Sequence, residues 1–128
     1  MKTDKFEDAT KELHPLAEDI IKHAPDLLSK VDPSKIVFLF SKENKQTLYA
    51  YVKLVTEPYN VLDPSKDFFV IVIQHKWVTL NEKEKRYVLL HELFHCMYDE
   101  KGIPKLRKHT LENFEELVKD PAWNLDLV

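Results

Sequence analysis

Cysteine, glycine and long apolar runs are all scarce in this sequence of 128 residues. The single cysteine, Cys96, excludes an internal disulfide and is typical of a reducing compartment. No apolar run reaches the ~18 residues that a membrane-spanning helix requires. The opening residues, MKTDKFEDATKEL, contain no apolar stretch of signal-peptide length. We therefore expect a cytoplasmic protein with no membrane partner.

An excess of charge of one sign is also missing. The formal net charge of −3 gives no reason to expect nucleic acid or an anionic membrane as the main partner. With 44% hydrophobic residues, the chain is long enough to bury one core but too short for two. We expect a single domain over residues 1–128, and a monomer.

The N-terminal section has helical periodicity. Apolar residues between positions 6 and 29 follow the spacing of one long or two short helices. Pro15 suits the first turn of a helix that begins near His14, and Pro25 predicts a break. This section therefore predicts an N-terminal helix.

Three strand-like runs follow, rich in aromatic and β-branched residues and separated by turn residues. They are Ile36–Phe40, Leu48–Val55 and Phe68–Ile73. We expect them to form a three-stranded, mostly antiparallel sheet. The continuous hydrophobicity of the third run favours a central strand over an exposed edge that could receive a substrate.

The last section is helical again. Asn81 and Glu84 have the spacing of a capping box, so a helix should begin there. We expect this helix to continue through Met97 and to stop at Gly102, the only glycine in the chain. A final helix is predicted from about Leu111 to Lys119. The whole layout is typical of an α+β domain.

The helix that follows Asn81 contains His91-Glu92-Leu93-Phe94-His95, which is the pattern HExxH. Residues four apart lie on one face of a helix, so both imidazoles can bind one Zn²⁺. Glu92 is rotated by about 100° from His91, where it can accept a proton from a water that the metal makes acidic. The pattern predicts a zinc site with Glu92 as general base.

A catalytic zinc usually has three protein ligands and one open position, so a third ligand is needed. His109 is the first candidate, because it follows a Gly-Ile-Pro turn and precedes Thr110, which could cap the last helix. Carboxylates remain open as alternatives, since a His₂Glu set is also common; these are Glu112, Glu115 and Glu116.

The segments HKWVTLNEKEK, VLLHELFHCMYDEKG and LRKHTLENF together resemble the phage-type metallopeptidases, small single-domain members of the zincin group. The resemblance extends from about Ile36 to Phe114, and loosely to the N-terminal helix. It implies a zincin-like fold, one zinc ion per chain and hydrolysis of a protein or peptide substrate. It also implies that His91, His95 and His109 bind the zinc and that Glu92 is the base. One position departs from the pattern, since we expect an acidic residue where Thr110 stands.

Other residues have roles that the sequence leaves open. An electrophilic group for the tetrahedral intermediate could come from Tyr98, His75, Tyr59 or Arg107. Asp99 could orient a ligand histidine or simply be solvated at the helix end. We expect Cys96 to be a buried small hydrophobe. A non-catalytic zinc-binding or partner-binding module is the alternative function, although a structural zinc site would normally be rich in cysteine.

Overall fold

A computed structural model describes residues 5–26, 28–43 and 48–107. The predicted C-terminal helix, His109 and the carboxylate alternatives to it lie outside these ranges. Among the described residues, no helix is long and apolar enough to cross a membrane. Helices and a sheet are both present, so the predicted α+β class is confirmed.

Four strands form the main sheet in the described part of the chain, in the spatial order β1-β2-β4-β3. They are β1 (Phe6–Asp8), β2 (Ile36–Ser41), β3 (Ala50–Leu54) and β4 (Phe68–Ile73). β2 and β4 are parallel, with Ile36 opposite Phe68, whereas the β1–β2 and β3–β4 pairs are antiparallel. The strand β4 is central, as its continuous hydrophobicity predicted.

The expectation of a three-stranded sheet was wrong, because Phe6–Asp8 adds a fourth strand. These three residues are too few to have a recognisable alternation, and Phe6 also fitted the helical spacing of the residues that follow it. The order of the strands was also not evident from the sequence. β3 pairs with β4 rather than with its predecessor β2, and the parallel pairing of β2 with β4 makes the sheet mixed.

Four helices are described: α1 (Thr10–His23), α2 (Tyr59–Leu62), α3 (Gln74–Trp77) and α4 (Glu82–His95). α1 begins before the predicted position, so Pro15 lies inside the helix rather than in its first turn. It ends before Pro25, as predicted, since a residue that precedes proline avoids helical geometry. α1 lies against α4 and β2, and Arg86 Nη1 of α4 donates to Asp19 Oδ2 of α1 at 2.6 Å.

The two ends of α4 differ in how well the sequence predicted them. The capping box is confirmed, because Glu84 N donates to Asn81 Oδ1 at 2.8 Å and Asn81 N donates to Glu84 Oε1 at 2.9 Å. The helix ends at His95, however, and not near Gly102. Residues Cys96–Tyr98 form strand β5, which pairs antiparallel with β6 (Pro104–Leu106).

Gly102 lies in the hairpin turn between β5 and β6. Gly102 has φ of 80°, a left-handed conformation that favours glycine both in tight turns and after helices. Asp99 Oδ1 accepts from Lys101 N at 2.8 Å and from Ile103 N at 3.0 Å, which stabilises the turn. A single glycine is compatible with a helix end and with a hairpin turn, and the prediction that Gly102 ends α4 was wrong.

The capping box gives a direct stability prediction. Replacing Asn81 by Ala removes the side-chain acceptor for the backbone N–H of Glu84 and should lower the free energy of unfolding by about 1 kcal/mol. Asn81→Asp keeps an acceptor and should remain close to wild type. Urea denaturation of the three proteins measures the difference, and equal stability of Asn81→Ala and wild type would contradict the assigned cap.

Candidate active site

The HExxH residues lie in a cleft of about 520 Å³ between α4, strand β3 and the end of β6. We refer to it as the α4–β3 cleft. Its described lining is Leu48, Tyr49, Ala50, Tyr51, Val52, Tyr87, Val88, His91, Glu92, His95, Leu106 and Arg107. Most of these side chains are apolar or aromatic, so the three HExxH polar groups lie in a largely apolar wall.

The two motif histidines lie next to each other in this cleft. The ring centroids of His91 and His95 are 5.0 Å apart, with an interplanar angle of 64°. This is the juxtaposition expected of residues separated by one helical turn. Tyr87 lies one turn before His91, with ring centroids 6.3 Å apart. The helix thus brings two nitrogen ligands of the kind that zinc prefers to one side of the cleft.

The orientation of the His95 ring is set by a hydrogen bond. His95 Nδ1 lies 2.6 Å from the backbone carbonyl oxygen of Arg107. A carbonyl oxygen can only accept, so Nδ1 bears the proton and the lone pair of the neutral ring is on Nε2. Metal-binding histidines commonly donate their second ring N–H to a carbonyl in this way. His95 therefore has the tautomer that a metal ligand needs.

Glu92 is one of the few buried polar residues in the described structure, with 7% of its surface exposed. Burial raises the pKa of its carboxyl group from 4.5 to about 7, because the charged form loses hydration. A carboxyl group with a pKa near neutrality can both accept and return a proton at neutral pH. The residue that the sequence assigned as general base therefore has a suitable environment for proton transfer.

The four residues predicted as candidates for the electrophilic group lie in different parts of the described structure. Arg107 borders the α4–β3 cleft, but the other three candidates do not. The Tyr98 hydroxyl donates to Asp67 Oδ2 at 2.6 Å, and the Tyr59 ring packs against Phe69 at 5.3 Å. His75 is exposed on α3. Arg107 is thus the only one of these four candidates that is near the HExxH residues.

Three tyrosines in the cleft were missed by the sequence analysis: Tyr49, Tyr51 and Tyr87. Tyr87 could have been found, because it precedes His91 by four residues and so shares its helix face. Tyr49 and Tyr51 come from the region of β3, and only the packing of that strand beside α4 brings them to the cleft.

Cys96 and Asp99 contribute little to the site. Cys96 is 3% exposed and burial raises the pKa of its thiol, so the thiol stays protonated, as befits the buried hydrophobe that the sequence predicted. Asp99 accepts hydrogen bonds within the hairpin turn. The group that contacts the His95 ring is the carbonyl of Arg107 and not the Asp99 carboxylate that was considered for this role.

Comparison with known proteins adds independent information. The model of the family described as "Putative phage metallopeptidase" matches residues 4–126. The chain belongs to this family. No curated protein and no solved structure matches it. The family name implies a metal-dependent peptidase, and therefore a metal ion and a peptide substrate.

The residues present in the cleft fit the metal that a phage metallopeptidase implies. Two imidazoles on successive turns of one helix could supply nitrogen ligands, and a nearby cation would stabilise the charged form of the neighbouring buried carboxyl group. Within the described ranges, no cluster of three His, Cys, Asp or Glu side chains could hold an ion. The third predicted ligand, His109, lies outside those ranges, as does its alternative Glu112.

The raised pKa of Glu92 predicts a dependence of stability on pH in the metal-free protein. A pKa that is higher in the folded state than 4.5 means that stability is lost as pH rises from 4.5 to about 7. At about 1.4 kcal/mol per pKa unit, the penalty at pH 8 is on the order of 3 kcal/mol. The glutamine of Glu92→Gln cannot ionise. The free energy of unfolding of this variant, relative to wild type, should therefore rise by roughly this amount between pH 5 and pH 8.

Urea denaturation of chelator-treated protein at the two pH values measures this effect. Glu100→Gln is the matched control, because Glu100 is exposed in the hairpin turn. Its difference from wild type should be the same at both pH values. If the difference in free energy of unfolding between Glu92→Gln and wild type does not change with pH, burial of the charged carboxylate does not destabilise the fold.

Proposed function

We propose that residues 1–128 form one zincin-like domain that hydrolyses peptide bonds with a single bound zinc ion. The observation that supports this most directly is the buried carboxyl group of Glu92 beside two histidines that face one cleft. Burial of a carboxyl group costs free energy, and such groups are concentrated at catalytic sites. Membership of the phage metallopeptidase family supports the same reaction class.

In this proposal His91, His95 and His109 hold the zinc. His109 follows Arg107 by two residues, and two residues of chain span at most ~7 Å. The carbonyl of Arg107 is itself in contact with the His95 ring. The short separation in sequence therefore supports His109 as the third ligand. Glu112 is further along the chain and remains the alternative third ligand.

Glu92 moves the proton during hydrolysis. Zinc, when bound, supplies a Lewis acid that makes water acidic near neutral pH. The Glu92 carboxylate accepts the proton of the attacking water and then returns it to the amine nitrogen of the leaving peptide. A raised pKa suits both steps, because the group must be a base first and an acid afterwards. The cleft tyrosines, Tyr49, Tyr51 and Tyr87, are nearby groups that could stabilise the developing oxyanion.

The substrate is proposed to bind as an extended peptide along β3. This strand lies at the end of the described sheet and borders the cleft. Within that sheet its one neighbour is β4. An exposed strand edge can add a peptide by backbone hydrogen bonds, while side chains enter neighbouring pockets. The apolar residues Val52, Val88 and Leu106 line the same cleft, which favours substrates with apolar side chains near the scissile bond.

Metal content tests the site. The purified protein should contain about one zinc ion per chain by elemental analysis. His91→Ala and His95→Ala should each lose the metal, whereas His75→Ala, a change at an exposed histidine on α3, should retain it. Zinc well below half an equivalent in wild type, even after zinc is supplied at neutral pH, would contradict the proposed centre.

The third ligand needs a separate comparison. His109→Ala should weaken zinc retention, whereas Glu112→Ala should not. The absorption spectrum of cobalt-substituted protein should therefore change in the first variant only, because it reports the ligand set. The opposite result would assign a His₂Glu site and remove His109 from it.

Activity separates catalysis from metal binding alone. Glu92→Gln should fold, keep its zinc and lose activity by about 10²-fold or more, which is the scale of general-base catalysis. A peptide library digested by wild type and by Glu100→Gln, but not by Glu92→Gln, would supply a substrate and support the proposal. Equal cleavage by Glu92→Gln would exclude it as the base. Absence of cleavage by zinc-loaded wild type would instead favour a non-catalytic binding module.

A further inference from the structure

Arg107 makes four contacts with the last two residues of α4. Its backbone N–H donates to the His95 carbonyl oxygen at 2.7 Å, and its Nε donates to the Phe94 carbonyl oxygen at 3.0 Å. Its guanidinium carbon lies 4.3 Å from the centroid of the Phe94 ring. Its own carbonyl oxygen accepts from His95 Nδ1 at 2.6 Å. Backbone and side chain of one residue thus contact the helix end from the same side.

These contacts provide hydrogen-bond donors for carbonyl groups at the end of α4. The last carbonyl groups of a helix lack partners within the helix and bear partial negative charge. Phe94 is 3% exposed, so water has little access to this part of the helix. The Arg107 N–H and guanidinium supply the missing donors and a positive charge. Phe94 in turn provides an aromatic face on which the guanidinium packs.

The same anchoring has a consequence for His95. The carbonyl that accepts its Nδ1–H belongs to the residue whose position is set by the other three contacts. The direction in which Nε2 points therefore depends on whether Arg107 stays in place. Because the planar guanidinium packs on a buried ring and donates to a fixed carbonyl, little freedom is left to that backbone.

We propose that Arg107 is a positioning residue that holds the His95 ring in the Nδ1–H tautomer, with Nε2 directed into the α4–β3 cleft for the metal. This inference rests on the proposed zinc site, but adds to it a residue outside the HExxH motif and its candidate ligands. Arg107 acts through His95, because its carbonyl oxygen accepts from His95 Nδ1 while its guanidinium packs on Phe94.

Arg107→Met tests the proposal, because methionine keeps an unbranched apolar stem but removes the Nε donor and the charge. Lys105→Met is the matched control, since it removes the same charge from an exposed position two residues earlier in β6. The first readout is the long-range ¹H–¹⁵N spectrum of the histidine rings in chelator-treated protein above pH 7.5. Wild type and Lys105→Met should show His95 as the Nδ1–H tautomer, and Arg107→Met should show a mixture of tautomers.

The second readout is the zinc dissociation constant, measured by competition with a chromophoric chelator. Loss of a group that orients a ligand typically weakens metal binding by 10- to 100-fold, so we expect that range for Arg107→Met. Lys105→Met should stay within about twofold of wild type, because Lys105 is exposed and is not part of the described lining of the α4–β3 cleft. Circular dichroism at the assay temperature establishes that each variant is folded.

If Arg107→Met does not fold, Arg107→Lys decides the question, because lysine keeps the charge but not the planar donor. It should show the tautomer mixture and a smaller loss of zinc affinity. A folded Arg107 variant with the wild-type tautomer and wild-type affinity would overturn the proposal. Failure of the zinc site itself has a different signature: wild type would bind no zinc, while the tautomer comparison in metal-free protein would still decide the role of Arg107.

Discussion

The Glu92 carboxyl group is buried in α4 at a cost in free energy that other parts of the fold must offset. A carboxyl group that is 7% exposed has lost most of its hydration, and its pKa rises to about 7 as a result. The two imidazoles beside it face the same cleft, in a wall that is otherwise mainly apolar. Such an arrangement is unfavourable for stability alone, so the folding of the remaining chain must compensate for it. In the proposed function, a bound cation would attract the carboxylate and accept the imidazole lone pairs.

The surrounding elements compensate by holding α4 at both ends and on two sides. The capping box of Asn81 and Glu84 satisfies the first turn. Arg107 satisfies the last turn through the hairpin of β5 and β6. α1 packs against the helix on one side, and β3 borders the cleft on another. The cleft therefore lies between a helix that is held at both ends and β3, the end strand of the described sheet.

The sequence predicted correctly those elements whose pattern lies within a short stretch of the chain. The run Phe68–Ile73 and the capping box are defined by neighbouring residues, and the structure contains both as predicted. The end of α4 is not local, because it depends on hydrogen bonds to Arg107, twelve residues beyond His95. Gly102 could end a helix or turn a hairpin, and only those distant contacts distinguish the two. The fourth strand was missed for a similar reason, since three residues acquire strand geometry by pairing with β2.

X-ray absorption at the zinc edge of the zinc-loaded protein identifies the atoms that surround the ion. The proposed centre should give a shell of nitrogen and oxygen only, at about 2.0–2.1 Å, with outer-shell scattering from at least two imidazoles. A sulfur neighbour at about 2.3 Å would require Cys96 as a ligand, which its burial and raised pKa oppose. That result, or a shell with fewer than two imidazoles, would contradict a centre built on His91 and His95.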